Sequence, residues 1–385
     1  MSINIGYICE EYPPSLHGGI GTMTRDLAEG LIQKGAQVTV IGVHSQDKIP
    51  LLKSRREVLN GVEVYRLPSF TRIAGAHLGG ILDKLWLFLW IKKIHLKHPF
   101  HLIETPDYQG PLALGAPQKI PLVCRLNGSA FHFDKEMNCR RASRMTYFFE
   151  KMQLTRADRL IAVSDYTGRK TLKQMGLENL TYQVIHNAVD TTFFSPDPQE
   201  EVVPHRIIFV GSLVWRKGIN EFLQAMTMVC REFAECRAYI VGKSSPEKIE
   251  GFKKSIPEDL RSRFVFTGHV NREELRKLLR KSYLAVFPSK AEAFPIAPLE
   301  VMSVGKPVVL TNRTSGPEVI EDGISGLLCD PYQPEDIAEK IRRLIQNPQQ
   351  TRQMGEQARR RAVEHFDKQA WLFQNIKFYE SIIQG

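Results

Sequence analysis

Short apolar runs alternate with helical segments along the whole chain, and this alternation constrains the fold more than any other feature. In the first half the runs occupy residues 3–8, 38–43, 62–67, 101–104, 121–127, 159–164 and 182–187. Several are separated by helical stretches; residues 22–34, for example, place Met23, Leu27 and Leu31 on one face. Strand–helix alternation is typical of a parallel sheet covered on both faces. The sequence therefore predicts an α/β fold.

The alternation is broken by a proline-rich and acidic stretch and then starts again, which predicts two domains. Strands are expected at residues 206–211, 237–242, 263–268, 284–288 and 307–311, with helices at about 218–233, 272–281, 297–304 and 335–346. We expect an N-terminal domain, a linker, a second domain and a C-terminal helix that packs back onto the first domain, at residues 1–190, 191–204, 205–366 and about 367–385. Both domains should be doubly wound and Rossmann-like. Because such sheets bind ligands at the carboxyl ends of their strands, two facing sheets predict an active site in the cleft between them.

Composition narrows the class of protein. The longest clean apolar run, residues 85–91, is far shorter than the ~20 residues of a membrane span. The N-terminus lacks the pattern of a signal peptide, and six scattered cysteines without a C-x-x-C pair fit a reducing cytosol. Most of the net charge of +10 lies in residues 1–195, where 24 basic residues stand against 17 acidic ones. This excess indicates a polyanionic partner or a well-solvated basic face.

Three motifs lie where strands lead into helices. Gly18 and Gly19 precede a helix, an arrangement that suits a pyrophosphate but is also found in plain turns. Arg216 and Lys217 follow the first strand of the second domain, where two cations could neutralise a diphosphate or simply be solvated.

The strongest motif is P-S-K-A-E-A-F-P-I-A-P-L-E-V-M, at residues 288–302. Its two glutamates, Glu292 and Glu300, are eight residues apart, the first at a loop end and the second on the following helix. A helix N-terminus stabilises phosphate, and a carboxylate further along can accept hydrogen bonds from ribose hydroxyls.

The ordered set of motifs resembles that of retaining glycosyltransferases of the GT-B fold, in the large family 4 group. Besides the segments above, the resemblance is carried by A-V-S-D (162–165), V-I-H-N-A-V-D-T-T-F-F-S-P (184–196), G-K-P-V-V (305–309) and G-P-E-V-I-E-D-G-I-S-G-L-L (316–328). It implies that the domain at 1–190 binds the acceptor and the domain at 205–366 binds the nucleotide sugar. It further implies that Glu292 contacts the donor sugar or its phosphate and that Glu300 contacts the ribose. It also implies that Arg216 and Lys217 bind the diphosphate, with Gly19 approaching it from the first domain.

Further donor contacts are implied by the same resemblance. Backbone around residues 268–270, from Gly268 to Val270, would hold the base, and Phe294, Pro295 and Ile296 would contact the donor. Family frequency favours a uridine nucleotide over a guanosine nucleotide, and no separate cofactor is expected.

The sequence departs from the family pattern at three places. Ser212 stands where an arginine is frequent, and Arg216 could substitute for that arginine. Asn127 stands where a sugar-contacting histidine is frequent; His132 could replace that histidine or be an ordinary loop residue. Pro295 removes an N–H donor at a position where family members offer one to the donor sugar.

The chain contains no Asp-x-Asp pair, which metal-dependent sugar transferases of the other major fold use to hold a cation. Fixed cations such as Arg216 and Lys217 could supply the leaving-group charge instead, so we expect no metal site. The resemblance further implies retention of configuration by front-face attack, which requires no pair of catalytic carboxylates.

The acceptor side is indicated by residues 78–97, where Trp86, Phe88 and Trp90 accompany three lysines. This segment is typical either of a helix lying on an anionic membrane or of a buried helix; residues 140–144 would add arginines to the membrane reading. The sequence thus favours a glycan or lipid-linked acceptor in envelope polysaccharide or glycolipid synthesis. We expect a cytoplasmic protein, peripheral on the inner face of the membrane.

Two other classes stay open at this point. One is a GT-B-type epimerase of nucleotide sugars. The other is a noncatalytic polyanion-binding protein, although no module that would bind nucleic acid is present and no nucleic-acid partner is expected.

Overall fold

The computed structural model describes residues 3–15, 18–44, 49–50 and 53–384. They form two compact units. Unit 1 contains the residues up to Ile185 together with those from Leu372 onward, and unit 2 is His186–Trp371.

Unit 1 is built on a sheet whose strands follow the predicted apolar runs, except for β3, which was not predicted. The described strands are β1 (Asn4–Ile8), β2 (Gln37–His44), β3 (Arg55–Leu59), β4 (Val62–Pro68), β5 (Leu102–Pro106), β6 (Leu122–Leu126), β7 (Arg159–Ala162) and β8 (Gln183–Val184). Their order in the sheet is β3-β4-β2-β1-β5-β6-β7-β8, parallel throughout except that β3 runs antiparallel to β4. All five residues of β1 are buried because this strand is central and covered on both faces.

The helices of this unit cover the two faces of the sheet. They are α1 (Gly19–Gln33), α2 (Thr71–His95), α3 (Ala130–Glu136), α4 (Arg144–Arg156) and α5 (Asp165–Met175). Serine side chains at positions 129, 143 and 164 cap α3, α4 and α5 by accepting a backbone N–H of the first turn. The predicted helix over residues 22–34 is confirmed, and α1 begins three residues earlier.

Unit 2 repeats this plan with a second parallel sheet. Its described strands are β9 (Arg206–Val210), β10 (Arg237–Val241), β11 (Phe264–Gly268), β12 (Leu284–Phe287), β13 (Val308–Thr311) and β14 (Leu327–Cys329). They are ordered β11-β10-β9-β12-β13-β14. Its described helices are α6 (Ile219–Glu232), α7 (Pro246–Ser255), α8 (Arg272–Arg280), α9 (Ile296–Ser303), α10 (Gly316–Val319), α11 (Pro334–Gln346) and α12 (Pro348–Phe366). The strands and helices predicted in this half are confirmed, whereas β14, α7, α10 and α12 were not predicted.

The stretch between the two sheets differs from the expected linker. Residues 191–204 belong to unit 2, and the division between the units falls before them, after Ile185. Phe194 in this stretch is fully buried, and its carbonyl accepts hydrogen bonds from Ser303 Oγ and Arg359 Nη1. The chain at Phe194 is therefore packed against unit 2, although the prolines at 196, 198 and 204 are themselves exposed.

The last helix, α13 (Lys368–Gln384), joins unit 1 from Leu372 onward. The Tyr379 hydroxyl donates to Glu104 Oε2 at 2.7 Å, and Asn375 Oδ1 accepts a hydrogen bond from Arg125 Nη2 at 2.6 Å. Arg125 is itself buried and paired with Glu104. A buried charged network thus ties the C-terminal helix to strands β5 and β6.

The tryptophans of helix α2 differ from their expected position at a membrane surface. The side chains of Trp86 and Trp90 are half-buried. They pack against the apolar core of unit 1, Trp86 near Phe70 and Trp90 near Tyr65. The large apolar side chains that α2 exposes are instead Ile73 and the leucines at 78, 85 and 89. Among the described residues, no helix combines the length and apolar composition that crossing a bilayer requires.

Candidate active site

Two neighbouring loops of unit 2 bring the predicted charged residues together. Strands β9 and β12 pair in parallel, so the loops that follow them leave the same edge of the sheet side by side. The first loop carries Arg216 and Lys217 in a single 3₁₀ turn, and the second carries Glu292. The Lys290 N–H donates to the Arg216 carbonyl at 2.8 Å, and Arg216 Nη1 donates to the Ala291 carbonyl at 3.3 Å.

A glycine allows this close approach of the two loops. Gly218 follows the cation pair with φ of +72°, a left-handed conformation that side chains other than glycine rarely adopt. A Cβ atom at this position would lie 2.0 Å from the Pro288 carbonyl oxygen. The glycine of R-K-G is therefore required by both its backbone conformation and the adjacent loop.

Lys217, Arg216 and Glu292 form one ion cluster at this edge. Lys217 Nζ makes an ion pair with Glu292 Oε2, and Arg216 Nη1 lies 3.9 Å from the same oxygen. The side chains of Lys217 and Glu292 are 21% and 12% exposed, so the pair is mostly but not fully removed from water. Such a site can exchange a carboxylate for another anion without being rebuilt.

The electrostatics of the cluster follow from burial and pairing. Burial raises the pKa of Glu292, but the charges of Lys217 and Arg216 outweigh that effect and hold the pKa below its ordinary value. Burial lowers the pKa of Lys217, and the charge of Glu292 only partly compensates. Glu292 is consequently ionised at neutral pH and stabilises the lysine ammonium.

A second ion pair, which the sequence did not reveal, fastens the same loops. Lys290 Nζ lies 2.5 Å from Glu221 Oε1 on α6, and its side chain is almost fully buried. The ammonium also sits 4.2 Å from the ring centre of Trp215 and 5.1 Å from that of Tyr332. This pair has a structural role, because it packs the loop that carries Glu292 against helix α6.

Helix α9 begins at Ile296, four residues after Glu292, and contains Glu300. Pro295 is its N-cap, and Ile296 is the first helical residue, so the helix N-terminus faces the edge that carries the ion cluster. Phe294 is buried: its ring stacks on His186 at 4.7 Å, and its carbonyl accepts a hydrogen bond from Asn187 Nδ2. Any donor contact from Phe294 must therefore come from its backbone.

The other donor-binding candidates of unit 2 lie at the same sheet edge. Ser212 is exposed directly after β9. Gly268 ends β11 with φ of +73°, and its carbonyl accepts the N–H of Gly242 at 2.9 Å. Val270 is half-buried two residues later. Because β11 lies two strands from β9, these residues are spread along the carboxyl edge of the sheet.

The glycine loop of unit 1 differs from its expected role as an open phosphate site. Glu11 accepts hydrogen bonds from the Gly18 N–H at 2.7 Å and the Gly21 N–H at 3.2 Å. A carboxylate of the chain thus already occupies the N-terminus of α1. Gly19 has open space where a Cβ would stand. Residues 16 and 17 of the motif lie outside the described residues.

Asn127 and His132 have different environments. Asn127 is half-buried directly after β6, where its N–H donates to Asp107 Oδ1 at 2.9 Å. Burial, with the nearby charge of Glu150 adding, raises the pKa of Asp107 to about 8. His132 has no exposed surface, and burial lowers its pKa to about 4, so its ring is neutral and enclosed. The interpretation of His132 as a sugar contact does not fit this structure.

Glu150 of α4 holds the loops of unit 1 that contain these residues. Its carboxylate accepts the N–H groups of Gln109, Ala130 and Phe131. It therefore joins the loop after β5 to the start of α3, next to Asn127. No sequence pattern indicates this role, because a glutamate within a helix is usually solvated.

Comparison with known proteins places this geometry in an enzyme class. The first half of the chain, residues 17–193, matches the model described as Glycosyltransferase Family 4, and residues 191–361 match the model described as Glycosyl transferases group 1. An uncharacterized glycosyltransferase of Methanocaldococcus jannaschii is 26% identical over 96% of this chain and 95% of its own length.

Solved structures agree on the fold. Sucrose-phosphate synthase from Thermosynechococcus elongatus superposes with a TM-score of 0.82 at 19% identity, covering 99% of both chains. The HepE protein of Anabaena, solved in complex with UDP-glucose, gives a TM-score of 0.74 at 19% identity, covering 98% of this chain and 100% of that protein. The chain is a glycosyltransferase of the GT-B fold. The noncatalytic polyanion-binding alternative is thereby set aside.

Proposed function

We propose that this glycosyltransferase moves a hexosyl group from a nucleotide-diphosphate sugar to a glycan or lipid-linked acceptor, with retention and without a metal ion. Its place would be in cell-envelope polysaccharide or glycolipid synthesis. The observation that carries this proposal is the cluster of Lys217, Arg216 and Glu292 at the carboxyl edge of the second sheet, beside the N-terminus of α9.

The two cations suit the departure of a nucleoside diphosphate. As the bond between the anomeric carbon and the phosphate oxygen breaks, negative charge builds up on the phosphate. Lys217 and Arg216 are adjacent, fixed by their loop and mostly shielded from water, so they can stabilise that charge without rearrangement. With no Asp-x-Asp pair in the sequence, these cations take the place of a diphosphate-bound metal.

Glu292 would act on the sugar side of the bond between the anomeric carbon and the phosphate oxygen. Its carboxylate is ionised at neutral pH and can face the positive charge that develops at the anomeric carbon. The acceptor hydroxyl would attack that carbon on the face from which the phosphate leaves, and its proton would pass to a phosphate oxygen. Glu300 would accept hydrogen bonds from the ribose.

We infer a uridine nucleotide as the donor. The HepE structure holds UDP-glucose in the same fold. In this chain the base would lie against the backbone around Gly268 and Val270, with Ser212 near the diphosphate.

The experiment is a screen of nucleotide sugars, each incubated with the protein, that measures the released nucleoside diphosphate. Release that depends on Lys217, and that an added glycan or lipid-linked acceptor accelerates, is the expected result. An epimerised donor with no transfer to any acceptor would mean that the protein is a GT-B-type epimerase. No turnover of any nucleotide sugar would overturn the proposal.

A further inference from the structure

Helix α2 exposes a continuous row of leucines on the surface of unit 1. Leu78 and Leu89 are 56% and 54% exposed, and Leu85 lies between them on the same face, at spacings of seven and four residues. We call these three residues the leucine row. The opposite face of the helix packs inward through Leu87 and Ile91. The leucine row is therefore about half exposed in the part of the chain that the structure describes.

A second helix extends this apolar surface. Lys84 of α2 lies 4.8 Å from the ring centre of Phe149 on α4, so the two helices are adjacent. The preceding residue of α4, Phe148, is 58% exposed, and Met145 one turn earlier is also exposed. The apolar surface thus spans two neighbouring helices.

The exposed charged side chains of α2 and α4 themselves are all basic. The basic residues that flank the leucine row and begin α4 are exposed: Lys92, Lys93, Arg140, Arg141 and Arg144. The acidic residues of both helices are turned away. Asp83 accepts hydrogen bonds from Ser69 and Phe70, and Glu150 is fully buried. Apolar side chains surrounded by cations are complementary to an anionic lipid surface, where leucines insert below the headgroups and the cations bind phosphates.

A second copy of this chain would fit the surface poorly. A symmetric dimer places the same patch against itself, which would set the exposed lysines and arginines opposite each other. Nucleic acid would meet the leucines with no hydrogen-bonding group to receive its bases. The observations therefore favour a membrane.

The position of the surface relates it to the acceptor side of the enzyme. Helices α2 and α4 lead into the parallel strands β5 and β7, so both begin toward the carboxyl edge of the sheet, where Asn127 lies. We propose that the leucine row, with the start of α4, docks unit 1 on an anionic lipid surface and thereby selects a lipid-linked acceptor. The choice of acceptor rests on the proposed transferase function, whereas the docking does not.

Vesicle co-sedimentation tests the docking directly. The protein is mixed with vesicles of phosphatidylglycerol and phosphatidylcholine in equal parts, or of phosphatidylcholine alone, at low and high salt. We expect binding to the anionic vesicles only. The double variant Leu85→Gln with Leu89→Gln should bind at least about tenfold more weakly, because two inserted side chains are lost. A second variant, Arg141→Gln with Arg144→Gln, should also weaken binding and flatten its salt dependence.

Controls separate the possible outcomes. Val363→Gln changes an exposed apolar residue of α12 in unit 2 and should leave vesicle binding unchanged. Equal binding of the wild type and the leucine variant overturns the proposal, and so does the absence of binding. A wild-type dimer that the leucine variant dissociates, without vesicle binding, would identify a second copy as the occupant instead. Every variant should release nucleoside diphosphate in solution at the wild-type rate. If the wild type itself releases none, the transferase function is contradicted, whereas the docking result still stands.

Discussion

Replacing Lys217 by alanine is the sharpest test of the proposed chemistry, because it removes the cation closest to Glu292. Loss of one donor that stabilises developing charge typically costs about 3 kcal/mol of barrier, or at least about 10²-fold in kcat. The structure adds a second effect. Glu292 would keep only Arg216, 3.9 Å away, as a counter-charge, and its carboxylate would then repel the donor diphosphate. We therefore expect a donor KM above that of the wild type in addition to the lower kcat.

The same substitution should reduce stability to a limited extent. Breaking a fully buried ion pair by removing one partner costs about 3–5 kcal/mol. Water reaches both side chains of this pair, which are 21% and 12% exposed, and Arg216 still partly compensates Glu292. A loss of about 1–2 kcal/mol in the free energy of unfolding is therefore expected. This loss is too small to unfold the protein, so the kinetic effect can be measured.

The assay is release of nucleoside diphosphate at saturating donor, with urea unfolding of each variant. Lys290→Met is the matched comparison, since it breaks the neighbouring lysine–glutamate pair that packs the same loops. It should destabilise the protein while changing kcat far less than Lys217→Ala. Lys217→Arg, which keeps the charge, should recover part of the rate. Near-normal turnover of Lys217→Ala, or an equal loss in Lys290→Met, would refute a direct role for Lys217.

Three further outcomes are expected. Activity should survive EDTA; complete loss that Mn²⁺ restores would show that a metal ion stabilises the leaving group. Glu300→Gln should mainly raise donor KM, because a ribose contact is equally strong in the ground and transition states. Glu292→Gln should chiefly lower kcat. If both variants change only KM, Glu292 is a binding residue. Burial lowers the pKa of His132 to about 4 in the folded protein, against ~6.5 in the unfolded chain. Between these two values the unfolded state binds more protons than the folded state. The stabilisation present above pH ~6.5 is therefore lost as the pH falls toward 4. Between about pH 7.5 and about pH 5.5 the wild type should therefore lose about 1 kcal/mol more unfolding free energy than His132→Gln, as measured by urea midpoints; equal losses would contradict this burial effect.

The sequence predicted the buried strands because their apolar runs are continuous. The missed strand β3 has the sequence R-R-E-V-L and is largely exposed at the sheet edge, where no apolar run is required. Strand β14 has only three residues, too few for a periodic signal. A local sequence pattern indicates which residues are buried, and a short strand or an exposed edge strand buries few residues.

The ion-pair partners of the charged site residues were harder to predict than the residues themselves. Arg216, Lys217 and Glu292 could be selected from the sequence because they follow strands that end at one edge. Their pairing could not, because it depends on β9 lying next to β12, which no local pattern states. The roles of Lys290 and Glu150 depend on such tertiary neighbours in the same way.

Carboxylates of the chain occupy both places that the sequence assigns to the donor diphosphate. Glu292 pairs with Lys217 in unit 2, and Glu11 accepts the N–H groups of Gly18 and Gly21 in unit 1. A cation or helix N-terminus left without a partner while partly buried would cost stability, and these glutamates remove that cost. A diphosphate bound at either place must displace or share its carboxylate, which lowers affinity for the ground state. The interactions that remain to be gained are those with charge that appears only as the glycosidic bond breaks, and these are the interactions that accelerate transfer.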